Sequence, residues 1–150
     1  MTAFDLSART KIALSGSDRI RYLNGQVTND VAKATTETAV AACVTNAKGR
    51  LEGLVQIVSA PGGDSFWIDA HESLREELVN RLDRYIIADD CELKDVSDAY
   101  QLWHVTGEEK PAQKALVSAR SSRLGVKGWD VWLQESPDWP TAPPSAIEEL

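Results

Sequence analysis

The sequence predicts an α+β fold with mixed, mostly antiparallel sheets and helices packed on one face. Three observations predict it. Short runs rich in β-branched and aromatic residues recur along the chain, turn residues separate them, and two segments have helical apolar periodicity. The predicted order is β-α-β-β-β-α-β-β. Because three strands follow one another through short turns, this order favours an α+β sheet over a doubly wound parallel one.

The first strand and the first helix lie on either side of a glycine. Lys11–Leu14 is predicted to be a strand that stops at Gly16. Ser17 can cap the helix that follows, because its hydroxyl can accept from free backbone N–H groups. Gly25 ends or kinks that helix. Three apolar residues spaced by three and four positions mark its buried face: Ile20, Leu23 and Val27.

Three consecutive strands are predicted next, joined by two tight turns. Ala39–Asn46 and Leu51–Ala60 are the first two strands, and Asn46–Gly49 joins them as a hairpin. Pro61–Asp64 is a second turn, and Ser65–Ala70 is the third strand. Strands connected so closely can only pair in antiparallel fashion.

Glu72–Ile87 gives the clearest helical signal, because leucine or isoleucine recurs every fourth residue and the acidic and basic residues match the helix dipole. Cys91–Val96 and Tyr100–Thr106 are predicted strands, and Pro111–Ala119 is predicted to be a short helix. Trp129–Leu133 alternates in polarity and is predicted to be a last strand.

Composition and charge exclude several classes of protein. The chain has 150 residues, 43% hydrophobic residues and a net charge of −7. This charge argues against broad nucleic-acid binding and against adhesion to anionic lipid. No apolar run approaches the ~20 residues of a membrane span. The start of the sequence lacks the features of a signal peptide, so we expect the cytoplasm. Cys43 and Cys91 lack metal-ligand spacing, so no metal site is expected.

Three ordered blocks carry a family resemblance. The segment Gly16–Val31 fits the pattern G-x-D-x-x-x-(Y/F)-L-x-G-Q-V-T-x-D-V, and Thr45–Leu51 and Arg81–Ile87 follow it. These blocks resemble the YgfZ-type folate-binding proteins and, more loosely, the glycine-cleavage T-protein, an aminomethyltransferase. The resemblance covers roughly residues 10 to 107, with the remaining third similar only weakly.

The resemblance implies a tetrahydrofolate-binding protein that supports iron–sulfur cluster assembly or repair, with iron–sulfur assembly proteins as partners. A tetrahydrofolate-dependent aminomethyltransferase and a non-catalytic interaction module with the same fold are the alternatives. Two isolated cysteines cannot supply the usual four thiolates of a cluster, so this chain is not expected to hold one. We also expect that tetrahydrofolate, or a one-carbon derivative of it, is not held by these 150 residues alone.

The domain organisation follows from the same resemblance. Residues 38–97 are predicted to form one lobe, and residues 1–37 plus 98–150 an incomplete second lobe. Ser145–Glu148 has the form of a capping box, so a helix is expected to begin shortly before the last residue, Leu150. We therefore expect a chain that is truncated relative to its family, whose C-terminal part is absent.

Two groups of polar residues lie at the end of the first block and at the tip of the first hairpin. One comprises the candidate ligand-binding residues Gln26, Thr28, Asn29 and Asp30. These side chains either line a ligand cleft or tie the loop to nearby backbone, as such residues commonly do. In the other group, Lys48 and Arg50 could meet the glutamate tail of a folate, because a guanidinium binds a carboxylate through two hydrogen bonds. Both could equally be solvated turn residues.

The strand after that hairpin separates the candidate functions. The resemblance implies that a transferase has an acidic residue here, at a position that falls on Gly53 in this sequence. Glu52 is one residue short, and alternation along a strand would turn it away unless a bulge rotates it inward. The missing acid argues against enzymatic activity. Glu52 and Leu54 are nevertheless included among the candidate folate contacts.

Asp69 is the last candidate contact, because a carboxylate can accept two hydrogen bonds from the amino-pyrimidinone edge of a pterin. Its alternative role is a helix cap before Glu72–Ile87. Trp67 and Tyr100 could stack on a ligand, although core packing is the commoner role, and His71 and His104 are taken as structural. We expect Asn29, Arg50 and Asp69 to share one hollow.

Overall fold

The computed structural model of the protein describes residues 2–140 and 142, and within them nine strands form two antiparallel sheets. The five-stranded sheet has the order β3-β4-β5-β2-β6, and the four-stranded sheet has the order β1-β7-β9-β8. The strands of the five-stranded sheet are β2 (Thr10–Ser15), β3 (Val40–Thr45), β4 (Leu51–Ser59), β5 (Ser65–Ala70) and β6 (Glu92–Asp95). Those of the four-stranded sheet are β1 (Ala3–Asp5), β7 (Gln101–Thr106), β8 (Val117–Ser121) and β9 (Gly128–Leu133).

Both α-helices pack on one face of the five-stranded sheet, as the fold class predicts. Helix α1 spans Arg19–Asn24 and helix α2 spans Arg75–Arg84. Two 3-10 turns, Val31–Lys33 and Glu72–Leu74, precede β3 and α2. The buried residues that the helices place against the sheet are Tyr22, Leu23, Leu78 and Leu82.

The other face of the five-stranded sheet packs against the four-stranded sheet. Trp67 of β5 and Trp132 of β9 meet between them, with ring centroids 5.1 Å apart. Tyr100 lies 4.5 Å from the Trp67 ring, so both aromatic side chains that could have stacked on a ligand are packed in the core. A third cluster, which includes Trp103 and Trp129, covers the outer face of the four-stranded sheet.

Gly16 fixes the passage from β2 to α1. Its φ is +116°, and a Cβ there would lie 2.1 Å from the backbone oxygen of Asp90. Ser17 does not cap α1 as predicted, because its hydroxyl instead donates to the Asp90 carboxylate at 2.6 Å. Asp18 occupies the N-cap position without a capping side-chain bond. The first motif is therefore joined directly to the segment before β6.

The structure differs from the sequence prediction in three elements. The predicted helix over Pro111–Ala119 is wrong, because Val117–Ser121 forms strand β8 along the edge of β9. Strand β1, Ala3–Asp5, was not predicted, since three residues give no periodic signal. The long helix also ends earlier than predicted, at Arg84, and Ile87 is 85% exposed.

Sheet membership also bears on the predicted lobes. Strand β2 lies within residues 1–37 but occupies the five-stranded sheet, between β5 and β6. That sheet otherwise consists of strands from residues 38–97. The division into two lobes stays a prediction, and the capping box at Ser145–Glu148 lies outside the described residues.

Candidate functional site

A cavity of about 770 Å³ opens where β4 extends past the end of β5. Strand β4 pairs with β5 only from Val55 onward, so residues 51–54 project beyond Ala70. The space beside them is closed by the loop between β1 and β2, by the turn after β5, and by the segment that follows β8. Leucines line it from β4 and from each of these three segments: Leu6, Leu51, Leu54, Leu74 and Leu124.

A β-bulge determines how the start of β4 faces this cavity. Val44 pairs with Gly53, but Thr45 pairs with Leu51, so Glu52 is an extra residue without a partner across the hairpin. Such a residue breaks the alternation of side chains along a strand. Glu52 and Gly53 consequently both line the cavity, whereas alternation alone would have turned Glu52 away from the face occupied by Gly53.

Arg81 of α2 holds Glu52 in place. Its Nε donates to Glu52 Oε1 at 3.1 Å, Nη1 donates to Gln26 Oε1 at 2.8 Å, and Nη2 donates to the Thr45 carbonyl at 2.9 Å. The guanidinium also lies over the ring of Tyr85, 4.3 Å from its centroid. One buried cation therefore joins the exit of α1, the first hairpin and the cavity wall.

The remaining polar residues of the first motif bind backbone rather than line the cavity. Thr28 Oγ1 accepts from the Cys43 N–H at 2.9 Å, and Asn29 Nδ2 donates to the Ala41 carbonyl at 3.0 Å. Asp30 Oδ1 accepts from the Ala32 N–H and so caps the first 3-10 turn. Thr28 and Asn29 therefore fasten the loop after α1 to β3, and Asp30 fixes the turn within that loop.

Lys48 and Arg50 are exposed at the first hairpin, and neither lines the cavity. The backbone N–H groups of both donate to Asn46 Oδ1, at 2.9 and 3.0 Å. Gly49 takes the positive φ expected of it, at +77°. Leu51, which directly follows Arg50, does line the cavity.

Asp69 is buried beneath the cavity rather than on its wall. Its carboxylate accepts from Arg9 Nε at 2.8 Å and from Arg123 Nη1 and Nη2 at 2.9 and 2.7 Å. The helix-cap alternative is wrong, because His71 Nδ1 accepts from the Ser73 N–H and caps that turn. Asn29, Arg50 and Asp69 thus share no hollow.

The two arginines that cover Asp69 do line the cavity, and the sequence reasoning missed both. Arg123 also donates to Asp130, which accepts or shares a bond with His104 Nδ1 at 2.8 Å. Burial opposes ionisation of Asp130, but the Arg123 charge and the two hydrogen bonds outweigh it and lower its pKa. Asp69 lies 60 and 54 residues from Arg9 and Arg123, so no local motif marks these partners.

Two kinds of site have no candidate in the described part of the chain. Residues 2–140 and 142 contain no group of three or more His, Cys, Asp or Glu side chains arranged to hold a metal ion. Within the same residues, no helix has the length and apolar character needed to cross a bilayer.

Comparison with known proteins supports the fold. No protein-family model matches the sequence, and no curated protein matches it. The glycine cleavage system aminomethyltransferase T from Bartonella henselae superposes with a TM-score of 0.66 at 13% identity, over 88% of this chain and 41% of that protein. A heterotetrameric sarcosine oxidase from Corynebacterium sp. U-96 superposes with a TM-score of 0.49 at 13% identity, over 87% of this chain and 74% of the other. The chain spans less than half the length of the aminomethyltransferase and shares the fold of that part.

Proposed function

We propose that this chain belongs to a tetrahydrofolate-binding protein of the YgfZ type, which supports iron–sulfur cluster assembly or repair in the cytoplasm. The observation that carries the proposal is the cavity beside β4, in a fold shared with part of an aminomethyltransferase. The ordered sequence blocks support the YgfZ type in particular. In this proposal the partners are a folate and iron–sulfur assembly proteins, without nucleic acid or membrane.

The cavity fits the chemistry of a reduced folate. Its volume of about 770 Å³ lies within the range of small-molecule pockets. Leucine side chains give apolar walls for a flat ring. Glu52 and Glu72 can accept from the N–H groups of an amino-pyrimidinone edge, and Arg9 can donate to a carboxylate. When bound, a tetrahydrofolate would supply one-carbon chemistry, and the residues named here would only bind and orient it.

The candidate contacts divide by distance from this cavity. Glu52 and Leu54 touch the ligand directly in our proposal, since both line the cavity. Gln26 does not line the cavity and influences it through its hydrogen bond with Arg81. Asp69 likewise influences the ligand through the arginines that donate to it. Thr28, Asn29 and Asp30 hold the loop that carries Gln26, and the hairpin residues Lys48 and Arg50 remain a rival site for the glutamate tail.

Calorimetric titration with 5-formyltetrahydrofolate tests the binding proposal. We expect only weak binding, with a Kd of roughly 100 μM to 1 mM. The affinity is low because the rest of the protein would complete the pocket. Leu54→Arg, at a position that is 62% exposed, should abolish binding without disturbing the core.

Ile87→Arg is the matched control, because Ile87 is 85% exposed and does not line the cavity. Its Kd should equal that of the unmodified chain. Absence of saturable binding by the complete protein, and not only by these 150 residues, would leave the interaction-module alternative, and a micromolar or tighter Kd for these residues would show that they suffice. The iron–sulfur role is tested separately, by the activity of iron–sulfur enzymes in cells that carry only the Leu54→Arg form.

One observation favours the second candidate, a tetrahydrofolate-dependent aminomethyltransferase. Glu52, the extra residue of the bulge, lines the cavity, although the expected acidic position is Gly53. If the full protein transfers aminomethyl groups, Glu52→Gln should lower kcat ~100-fold, a larger change than its effect on the Kd for folate. A full protein without measurable turnover would exclude this candidate.

A further inference from the structure

We propose that Arg9 anchors a carboxylate of the ligand, so that the glutamate end of a folate lies at the floor of the cavity beside β4. This inference rests on the proposed function and deepens it. It assigns a binding role to a residue outside the sequence blocks. It also reverses the expectation that the cations of the first hairpin hold the glutamate tail.

Arg9 has an unused hydrogen-bonding edge. Its Nε donates to Asp69 Oδ1 at 2.8 Å, which fixes the guanidinium plane. Among the described residues, its terminal nitrogens Nη1 and Nη2 donate to no protein acceptor, and the side chain is 25% exposed where it lines the cavity. Two adjacent terminal N–H groups match the two oxygens of a carboxylate.

Arg123, the other arginine of the cavity, has no free nitrogen. It also lines the cavity, but its side chain is 7% exposed and all three of its nitrogens donate to Asp69 or Asp130. Its charge is therefore compensated within the protein. Of the two arginines that line the cavity, only Arg9 has terminal N–H groups without a protein acceptor among the described residues. We therefore identify Arg9 as the anchor.

Three acidic residues also line the cavity: Asp5, Glu52 and Glu72. Glu52 is already paired with Arg81. Asp5 and Glu72 are exposed to solvent, where their charges are screened. Carboxylate acceptors and an arginine with free donors line the same cavity, which suits a ligand that carries N–H donors at one end and carboxylates at the other, as a folate does.

The experiment changes both the protein and the ligand. We compare Kd values for 5-formyltetrahydrofolate and for the corresponding pteroate, which lacks glutamate. With the unmodified chain, loss of glutamate should weaken binding by at least ~10-fold. With Arg9→Gln, the two ligands should bind equally, because the anchor that distinguishes them is gone.

Arg84→Gln is the matched control, since Arg84 is an exposed guanidinium at the end of α2 that does not line the cavity. It should keep the full preference for glutamate. Arg9→Lys retains the charge near Asp69 without the fork and should show an intermediate preference. If the unmodified chain binds both ligands equally, or if Arg50→Gln rather than Arg9→Gln removes the preference, the proposal is wrong.

A third ligand separates this inference from the proposed function. The fragment p-aminobenzoylglutamate carries the carboxylates without the pterin, and ligand-observed NMR detects its weak binding. If Arg9→Gln abolishes binding of the fragment but a pterin adds no affinity, the anchor stands and the folate proposal fails. If 5-formyltetrahydrofolate binds with no dependence on Arg9, the folate proposal stands and the anchor fails.

Discussion

At the scale of single residues, the described structure concentrates its buried charge between the two sheets. Arg123 donates to Asp69 of β5 and to Asp130 of β9, so one guanidinium joins both sheets. A buried charge that loses its partner is costly, which makes such a group sensitive to substitution. Arg9 donates to Asp69 through Nε alone, so its terminal nitrogens are free to face the cavity.

Tyr22 gives a pH-dependent prediction at this scale. Its hydroxyl donates to the Leu82 carbonyl, and burial raises its pKa to about 12 against the opposing charge of Arg81. The unfolded chain loses this proton near pH 10, before the folded chain does, so stability falls as pH rises from about 10 to 12. Spectrophotometric titration of the folded protein should show one phenol that ionises near pH 12.

Tyr22→Phe is the control for that titration. The late ionisation step should disappear, because it belongs to the Tyr22 phenol. A late step that survives in the variant would assign it to another tyrosine. Because Phe keeps the ring in the core, the variant should still fold, with a loss of ~1 kcal/mol for the missing hydrogen bond.

At the scale of elements, α2 stabilises the cavity wall through Arg81. Removal of this side chain by Arg81→Met frees Glu52, Gln26 and the Thr45 carbonyl at once. We expect a loss of ~2–4 kcal/mol in the free energy of unfolding, because a partly buried carboxylate loses its cation. Urea unfolding measures the change. Arg84→Met, on the exposed side of the same helix, should cost less than ~0.5 kcal/mol.

The same scale shows what local sequence signals can predict. Helices α1 and α2 and the hairpin strands β3 and β4 carry periodicity and turn residues within their own segments, and their existence was predicted. Strand β8 carries Ser118 and Arg120 between small residues, and its conformation comes from pairing with β9. Propensity cannot report a partner elsewhere in the chain.

The candidate site follows the same rule. Glu52 and Leu54 were identified because the hairpin and the family resemblance place them, and the bulge beside Gly53, raised from sequence only as an alternative, is present in the structure. Arg9 and Arg123 were missed because their shared partner, Asp69, is distant in sequence. The polar loop after α1 was ambiguous from sequence, since side chains that bind backbone and side chains that bind ligand are of the same types.

At the scale of the whole molecule, the two sheets form one packed unit through the Trp67–Trp132 contact. We expect Trp132→Ala to cost ~3–5 kcal/mol, because it empties a fully buried site between the sheets. Far-ultraviolet circular dichroism and the fluorescence of the remaining tryptophans should then report one coincident, lowered transition. Separate transitions for the two probes would show that the sheets unfold independently.

Trp139→Ala is the comparison for that variant. Trp139 packs on Trp103 at the outer face, with ring centroids 5.8 Å apart, and is only partly buried. Its removal should cost under ~2 kcal/mol, since solvent already reaches the site. If both variants lose the same free energy of unfolding, the contact between the sheets stabilises the protein no more than the contact at the outer face.

The pairing of β1 with β7 has a consequence for synthesis of the chain. Ala3 pairs with Val105, so β1 has no partner strand until about a hundred more residues have been made. At ribosomal rates of ~5–20 residues per second, that interval lasts on the order of 5–20 s. In that interval the five-stranded sheet, which includes β2, can already form, while Phe4 and the rest of β1 still lack their partner strand β7. Strand β1 is therefore among the last of the described strands to reach its final place.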